Sequence, residues 1–142
     1  MTFTQPGTKQ DIPAIILAGG LGTRLRDTVP DLPKPMAPVG DKPFLHYIFC
    51  YLQKQGITRS VLSVGYKADV IKDYFGKEYL GIQVSYADEF EPLGTGGGIR
   101  EAFRYVEGLA FVLNGDTFFD VDLWALRDFY FQKNADIALS LK

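Results

Sequence analysis

The sequence contains a single cysteine, Cys50, so no disulfide can form within the chain. That agrees with a reducing, cytoplasmic setting. A single histidine, His46, leaves no way to build a histidine-based triad or zinc site. His46 and Cys50 both fall in an aromatic stretch and read as packing residues. No apolar run approaches the roughly 20 residues that a membrane-spanning helix requires. Met1 to Gln10 is polar, without the basic start and apolar stretch of a secretory signal. A net charge of −2 argues against a broad nucleic-acid footprint, so any phosphate binding must come from a local cluster. With 46% apolar and 23% charged residues the composition is that of a folded globule rather than a disordered chain. The 142 residues suffice for one domain. No repeat or low-complexity tract interrupts them.

What is present is organised around residues 15 to 35. Ile15-Ile16-Leu17-Ala18 is a short apolar run, and Gly19-Gly20-Leu21-Gly22-Thr23-Arg24-Leu25-Arg26 follows it. Such a run bounded by glycine reads as a buried strand. Glycines after it let the backbone approach a ligand and turn amide N–H groups outward as an anion-binding concavity. Arg24, Arg26 and Lys34, the last held between Pro33 and Pro35, add positive charge. The spacing is neither a Walker A loop nor a full dinucleotide fingerprint, because Arg24 and Leu25 stand where those motifs need other residues. The glycines alone fit a plain strand-to-loop turn equally well. With the cations they read as a nucleoside triphosphate cradle.

Along the chain, residues 1–11 read as a flexible N-terminal arm and residues 12–142 as one α/β nucleotide-binding domain. Strands are predicted at 13–17, 60–64, 82–86 and 109–113, with a fifth beginning at 137–141. Helices are predicted from Asp41 as cap with Leu45, Ile48, Phe49 and Leu52 inward and Gly56 as stop, and over 68–75, 99–106 and 123–132. Asp122 caps the last. The wide aromatic face of the first helix, with Phe44, Tyr47 and Tyr51, suits burial, and also permits a homodimer. Alternating strands and helices imply right-handed βαβ units and a mostly parallel sheet. The apolar strands at 13–17 and 109–113 suit central positions. Residues 18–42 form a loop long enough to imply function. Ligands of such sheets bind beyond the carboxyl ends of the strands, and residues 19–24, 89–98 and 114–116 all fall there.

Three motifs carry a family resemblance. Leu17-Ala18-Gly19-Gly20-Leu21-Gly22-Thr23-Arg24-Leu25 followed by Pro33-Lys34-Pro35-Met36, then Glu91-Pro92-Leu93-Gly94-Thr95-Gly96-Gly97, then Leu113-Asn114-Gly115-Asp116 resemble the signature of the sugar-1-phosphate nucleotidylyltransferases. They are most similar to the branch that uses mannose or heptose 1-phosphate with GTP. The resemblance implies a three-layer, Rossmann-like fold of the GT-A type. It implies Mg²⁺-dependent transfer of a nucleotidyl group from an NTP to a sugar 1-phosphate, in nucleotide-sugar biosynthesis. Members of the family are longer and carry the sugar pocket and a second metal-binding aspartate further on. The chain is therefore expected to be the N-terminal portion of a larger enzyme, with the fold cut short.

Such transfer rests on holding two anions together and neutralising the charge that develops. The resemblance implies Arg24 on the leaving pyrophosphate, Lys34 on phosphate, and Asp116 on Mg²⁺. A carboxylate at a strand's carboxyl end suits that ion, which takes oxygen ligands. Leu17, Ala18, Gly19, Gly20, Gly22 and Thr23 would cradle the nucleotide. Gly94, Thr95 and Gly96, at a helix N-terminus, would line the nucleoside. Glu89 can accept from guanine N1–H and its exocyclic amine, which favours GTP. Two other readings remain at this stage. One is a nucleotide-binding domain without catalysis. The other is a glycosyltransferase with Asp120 and Asp122 on its metal, although Asp122 also fits a helix cap.

Overall fold

The computed structural model describes residues 12–20 and 31–141. The arm 1–11 and residues 21–30 lie outside them. The elements are β1 (Ala14–Leu17), β2 (Pro38–Val39), β3 (Lys42–Pro43), α1 (Phe44–Lys54), β4 (Arg59–Val64), α2 (Ala68–Phe75), β5 (Glu78–Tyr79), β6 (Ile82–Asp88), α3 (Gly94–Ala102), β7 (Phe111–Asn114) and α4 (Leu123–Gln132). Single 3-10 turns cover Lys34–Met36 and Phe103–Tyr105. One sheet runs in the order β5-β6-β4-β1-β7 and is parallel except at β5–β6. The mixed α/β fold with a mostly parallel sheet, expected from the alternation of elements, is the one observed.

The side-chain period of two in β1 divides the interior. Ala14 and Ile16 face a large cluster with Leu45, Ile48, Phe49 and Leu52 of α1, Ile71 and Phe75 of α2, and Trp124 of α4. Ile15 faces the other way, onto Val61, Ala87 and Ala102 of α3. Both faces of the sheet are thus covered, which makes three layers. An all-apolar run is what such a strand requires. The inward side of α1 is the one expected from its spacing, and Tyr51 joins it.

Four expectations are corrected by the packing. Asp41 does not cap α1. It lies in the turn of the β2–β3 hairpin, and the Phe44 N–H instead donates to the Ala37 carbonyl at 2.9 Å. The hairpin, hidden inside a proline-rich stretch, supplies the cap. Second, α3 begins at Gly94, in line with the helix N-terminus expected at Gly94–Gly96 and not with the start at Ile99 expected from apolar spacing. Glycine is a poor helix former, but at 97 and 98 a Cβ would run into Leu93, Ser63 or Glu89, so close packing overrides propensity. Third, β7 is the sheet's edge among the described residues, with Val112 exposed. Its apolar run is set by one buried face and not by a central place. Fourth, residues 137–141 form no strand, and Ile137, Leu139 and Leu141 are 75–82% exposed. Without a ladder partner, an alternating apolar pattern gains neither backbone bonds nor burial.

The His46 and Cys50 packing assignment holds. His46 Nδ1 lies 2.8 Å from the Tyr79 hydroxyl and its Nε2 3.4 Å from Cys50 Sγ, beside the Phe49–Phe75–Tyr79 ring cluster. Burial, with Tyr74 alongside, pushes the Tyr79 hydroxyl up to about 12.

The start of α4 is pinned to the end of α1. Trp124 Nε1 donates to the Gln55 carbonyl at 2.6 Å, and Gln55 Nε2 donates to the Val121 carbonyl at 3.1 Å. Asp122 caps α4 as expected, its Oδ1 accepting from the Trp124 and Ala125 N–H groups at 3.0 Å. These bonds anchor the segment that follows β7. Replacing Asp122 with alanine is expected to cost about 1 kcal/mol of stability. Asp120→Ala, at an exposed position, stays within about 0.5 kcal/mol. Urea denaturation of the two variants measures the difference.

Candidate nucleotide site

Four strand ends meet at one edge of the sheet. Leu17 pairs with Ser63 on one side and with Asn114 on the other, and Val64 pairs with Asp88. Three further bonds carry the ladder past the strands. Ala18 N–H donates to the Ser63 carbonyl at 2.8 Å, Gly115 N–H to the Leu17 carbonyl at 2.8 Å, and Glu89 N–H to the Val64 carbonyl at 2.7 Å. The Gly19–Gly20, Gly65–Lys67, Glu89–Leu93 and Gly115–Asp116 segments therefore leave the sheet side by side. The convergence expected from topology alone is observed for residues 19–20, 89–98 and 114–116, while residues 21–24 lie outside the described residues.

At the centre of that edge lies the Glu89 carboxylate. Its Oε1 accepts from the Ser63 hydroxyl at 2.5 Å, and its Oε2 is 3.4 Å from the Leu93 N–H. A Cβ on Gly19 would lie 2.5 Å from Oε1, and one on Gly98 would lie 2.8 Å from it. Both glycines make room for this one carboxylate. An open cleft of about 230 Å³ runs alongside, lined by Gly19, Gly65, Tyr66, Glu89, Phe90 and Pro92 among others. Gly94, Thr95 and Gly96 follow at the exposed first turn of α3, whose N-cap residue Leu93 makes no side-chain cap bond.

A second cluster lies at the end of β7. Lys34 and Asp116, 82 residues apart, meet at 2.6 Å between Nζ and Oδ2. The side chains are 36% and 33% exposed, so the pair is worth no more than about 1 kcal/mol and is open to exchange. Pro33 is extended, and Lys34 opens a 3-10 turn closed by Met36 N–H to the Pro33 carbonyl at 2.8 Å. Lys67 ties the neighbouring turn in, donating to the Asp31 carbonyl at 2.7 Å.

Of the residues expected at the site, Leu17, Ala18, Gly19, Gly20, Lys34, Glu89, Gly94, Thr95, Gly96 and Asp116 lie at this edge. Gly22, Thr23, Arg24 and Arg26 lie outside the described residues. Asp120 and Asp122 do not make a metal pair, since Asp122 is committed to its cap. Among the described residues no group of three His, Cys, Asp or Glu side chains could hold a metal by itself. Sequence reading missed Ser63, Gly65 and the structural need for Gly115. A polar residue and a glycine closing an apolar strand were the available signal for the first two.

Gly115 is buried, and a Cβ there would sit 2.8 Å from the Leu17 carbonyl oxygen, a backbone atom with little freedom to move. Gly115→Ala is expected to destabilise the chain by about 1–3 kcal/mol. Gly20→Ala, with nothing within 4 Å among the described residues, is expected to be near neutral. Thermal or urea unfolding of both variants checks the contrast.

Comparison with known proteins identifies the family of the chain. The family model described as nucleotidyl transferase matches residues 13–142. The D-glycero-alpha-D-manno-heptose 1-phosphate guanylyltransferase of Campylobacter jejuni is 57% identical over 129 residues, covering 91% of this chain and 57% of that protein. Its counterpart from Aneurinibacillus thermoaerophilus is 55% identical over 130 residues, covering 91% of this chain and 56% of that protein. The mannose-1-phosphate guanylyltransferase of Mycobacterium tuberculosis is 40% identical over 132 residues, covering 92% and 37%. Among solved structures, HddC from Yersinia pseudotuberculosis complexed with GMP-PN superposes with a TM-score of 0.76 at 44% identity, covering 84% of this chain and 54% of that one. The chain thus spans a little over half the length of its two heptose-using relatives. With the matched model covering the described sheet edge from end to end, this chain belongs to the nucleotidyl transferase family.

Proposed function

We propose that the chain is the nucleotide-binding part of a sugar-1-phosphate guanylyltransferase. It transfers a guanylyl group from GTP to heptose or mannose 1-phosphate and releases pyrophosphate. The observation that carries this reading is the Lys34–Asp116 pair, set at the same strand-end edge as the Glu89 cleft. The guanylyltransferases among its relatives support the choice of nucleotide and sugar.

The chemistry follows from that placement. A phosphate oxygen of the sugar 1-phosphate attacks the α-phosphorus of GTP, and the bond to the β-phosphate oxygen breaks. Gly19 and Gly20 present backbone without side chains beside the triphosphate, with Gly22 and Thr23 next in sequence. Lys34 leaves Asp116 for phosphate oxygens, an exchange that its partial exposure makes inexpensive. Arg24 is assigned to the departing pyrophosphate, which a guanidinium grips bidentately.

Asp116 is the residue that would hold Mg²⁺. Its carboxylate already has a cation at 2.6 Å, and one carboxylate suffices for an ion that completes its shell with water and phosphate. The ion would neutralise charge on the polyphosphate. Glu89, on the cleft wall, offers its carboxylate to the N1–H and exocyclic amine of guanine. The first turn of α3, through Gly94, Thr95 and Gly96, borders the nucleoside.

Two outcomes test the reading. GTP with Mg²⁺ raises the melting temperature of the chain more than UTP does, and Glu89→Gln narrows that gap. An equal response of the wild type to both nucleotides would overturn the guanine assignment. Lys34→Ala lowers pyrophosphate release from GTP and heptose 1-phosphate by about 100-fold in an enzyme containing this domain. A loss under threefold would remove Lys34 from the phosphate site.

A further inference from the structure

One residue of the cleft has no part in the roles above. Phe90 is 99% exposed, more than any other large hydrophobic side chain among the described residues. It stands between Glu89 and Glu91 on the segment after β6, and it lines the cleft. A phenyl ring left in water gains none of the burial its size offers. Tyr66, on the turn after the adjacent strand β4, lines the same cleft. Two aromatic residues from neighbouring turns thus border one opening, which Glu89 also lines. Gly19 and Gly65 contribute only backbone to the same lining. Apolar, flat surfaces beside a hydrogen-bond acceptor suit a planar heteroaromatic ring with N–H groups on its edge.

We propose that Phe90 is the stacking residue for the nucleobase. The inference rests on the guanylyltransferase reading and extends it. The ring lies on a face of the base, while Glu89 takes the edge. The two contributions differ in kind. Stacking favours any base, because every base has a π-face, whereas the carboxylate distinguishes guanine from bases that present acceptors there. Phe90 therefore supplies affinity and Glu89 supplies choice.

Isothermal titration of this chain with GTP and, separately, with inorganic tripolyphosphate tests the assignment, both with Mg²⁺. Phe90→Ala is expected to weaken GTP binding about tenfold and to leave tripolyphosphate binding unchanged. Phe90→Trp is expected to retain GTP affinity. An unchanged GTP affinity in Phe90→Ala overturns the stacking role. So does an equal loss for GTP and tripolyphosphate, which marks a general disturbance of the loop. A wild-type chain that binds GTP no more tightly than tripolyphosphate overturns the guanylyltransferase reading and the stacking role together. A wild type that prefers GTP, with Phe90→Ala preferring it as strongly, overturns stacking alone.

Discussion

The Glu89 carboxylate is the point at which the loops of this edge are joined. It reaches the Ser63 hydroxyl, lies near the Leu93 N–H, and fills the space left by the missing side chains of Gly19 and Gly98. β1, β4, β6 and α3 therefore share one contact. A carboxylate packed this closely among glycines has few ways to move, and it lines the cleft beside it. A group that braces the loops and faces the ligand transmits any disturbance of one role to the other. Glu89 is thus a structural residue that, under the proposed function, would also serve the nucleobase.

The Lys34–Asp116 pair is built on different terms. It is one-third exposed, joins two segments 82 residues apart, and contributes little to stability. Such a pair keeps two opposite charges ready at one place without committing either. Under the proposed function, an incoming polyphosphate and its cation would exchange partners with it and would not have to break a buried ion pair, whose disruption costs several kcal/mol. The rigid Glu89 brace and the exchangeable Lys34–Asp116 pair divide the site into a part that shapes the opening and a part that responds to charge.

Local chemistry was legible wherever a single element decided it. The Asp122 cap, the Gly56 stop of α1 and the inward face of α1 follow from residue types a few positions apart. The reading failed where a distant segment supplied the missing partner. The cap of α1 comes from the Ala37 carbonyl, and the early start of α3 depends on how tightly it packs on β4 and Glu89. The alternation of Ile137, Leu139 and Leu141 has strand character, yet no strand among the described residues pairs with it.

By itself the sequence determined the alternation of strands and helices, the central burial of Ile15 and Ile16, and the gathering of glycine, cation and carboxylate motifs at strand ends. Periodicity, caps and turn residues act over a few positions, and those positions are all present in the chain as written. Only the tertiary structure decided that Glu89 meets Ser63, Gly19 and Gly98, that Lys34 meets Asp116, and that Phe90 stands in solvent beside the cleft. Each depends on strand order and on the space between loops, which no local pattern records.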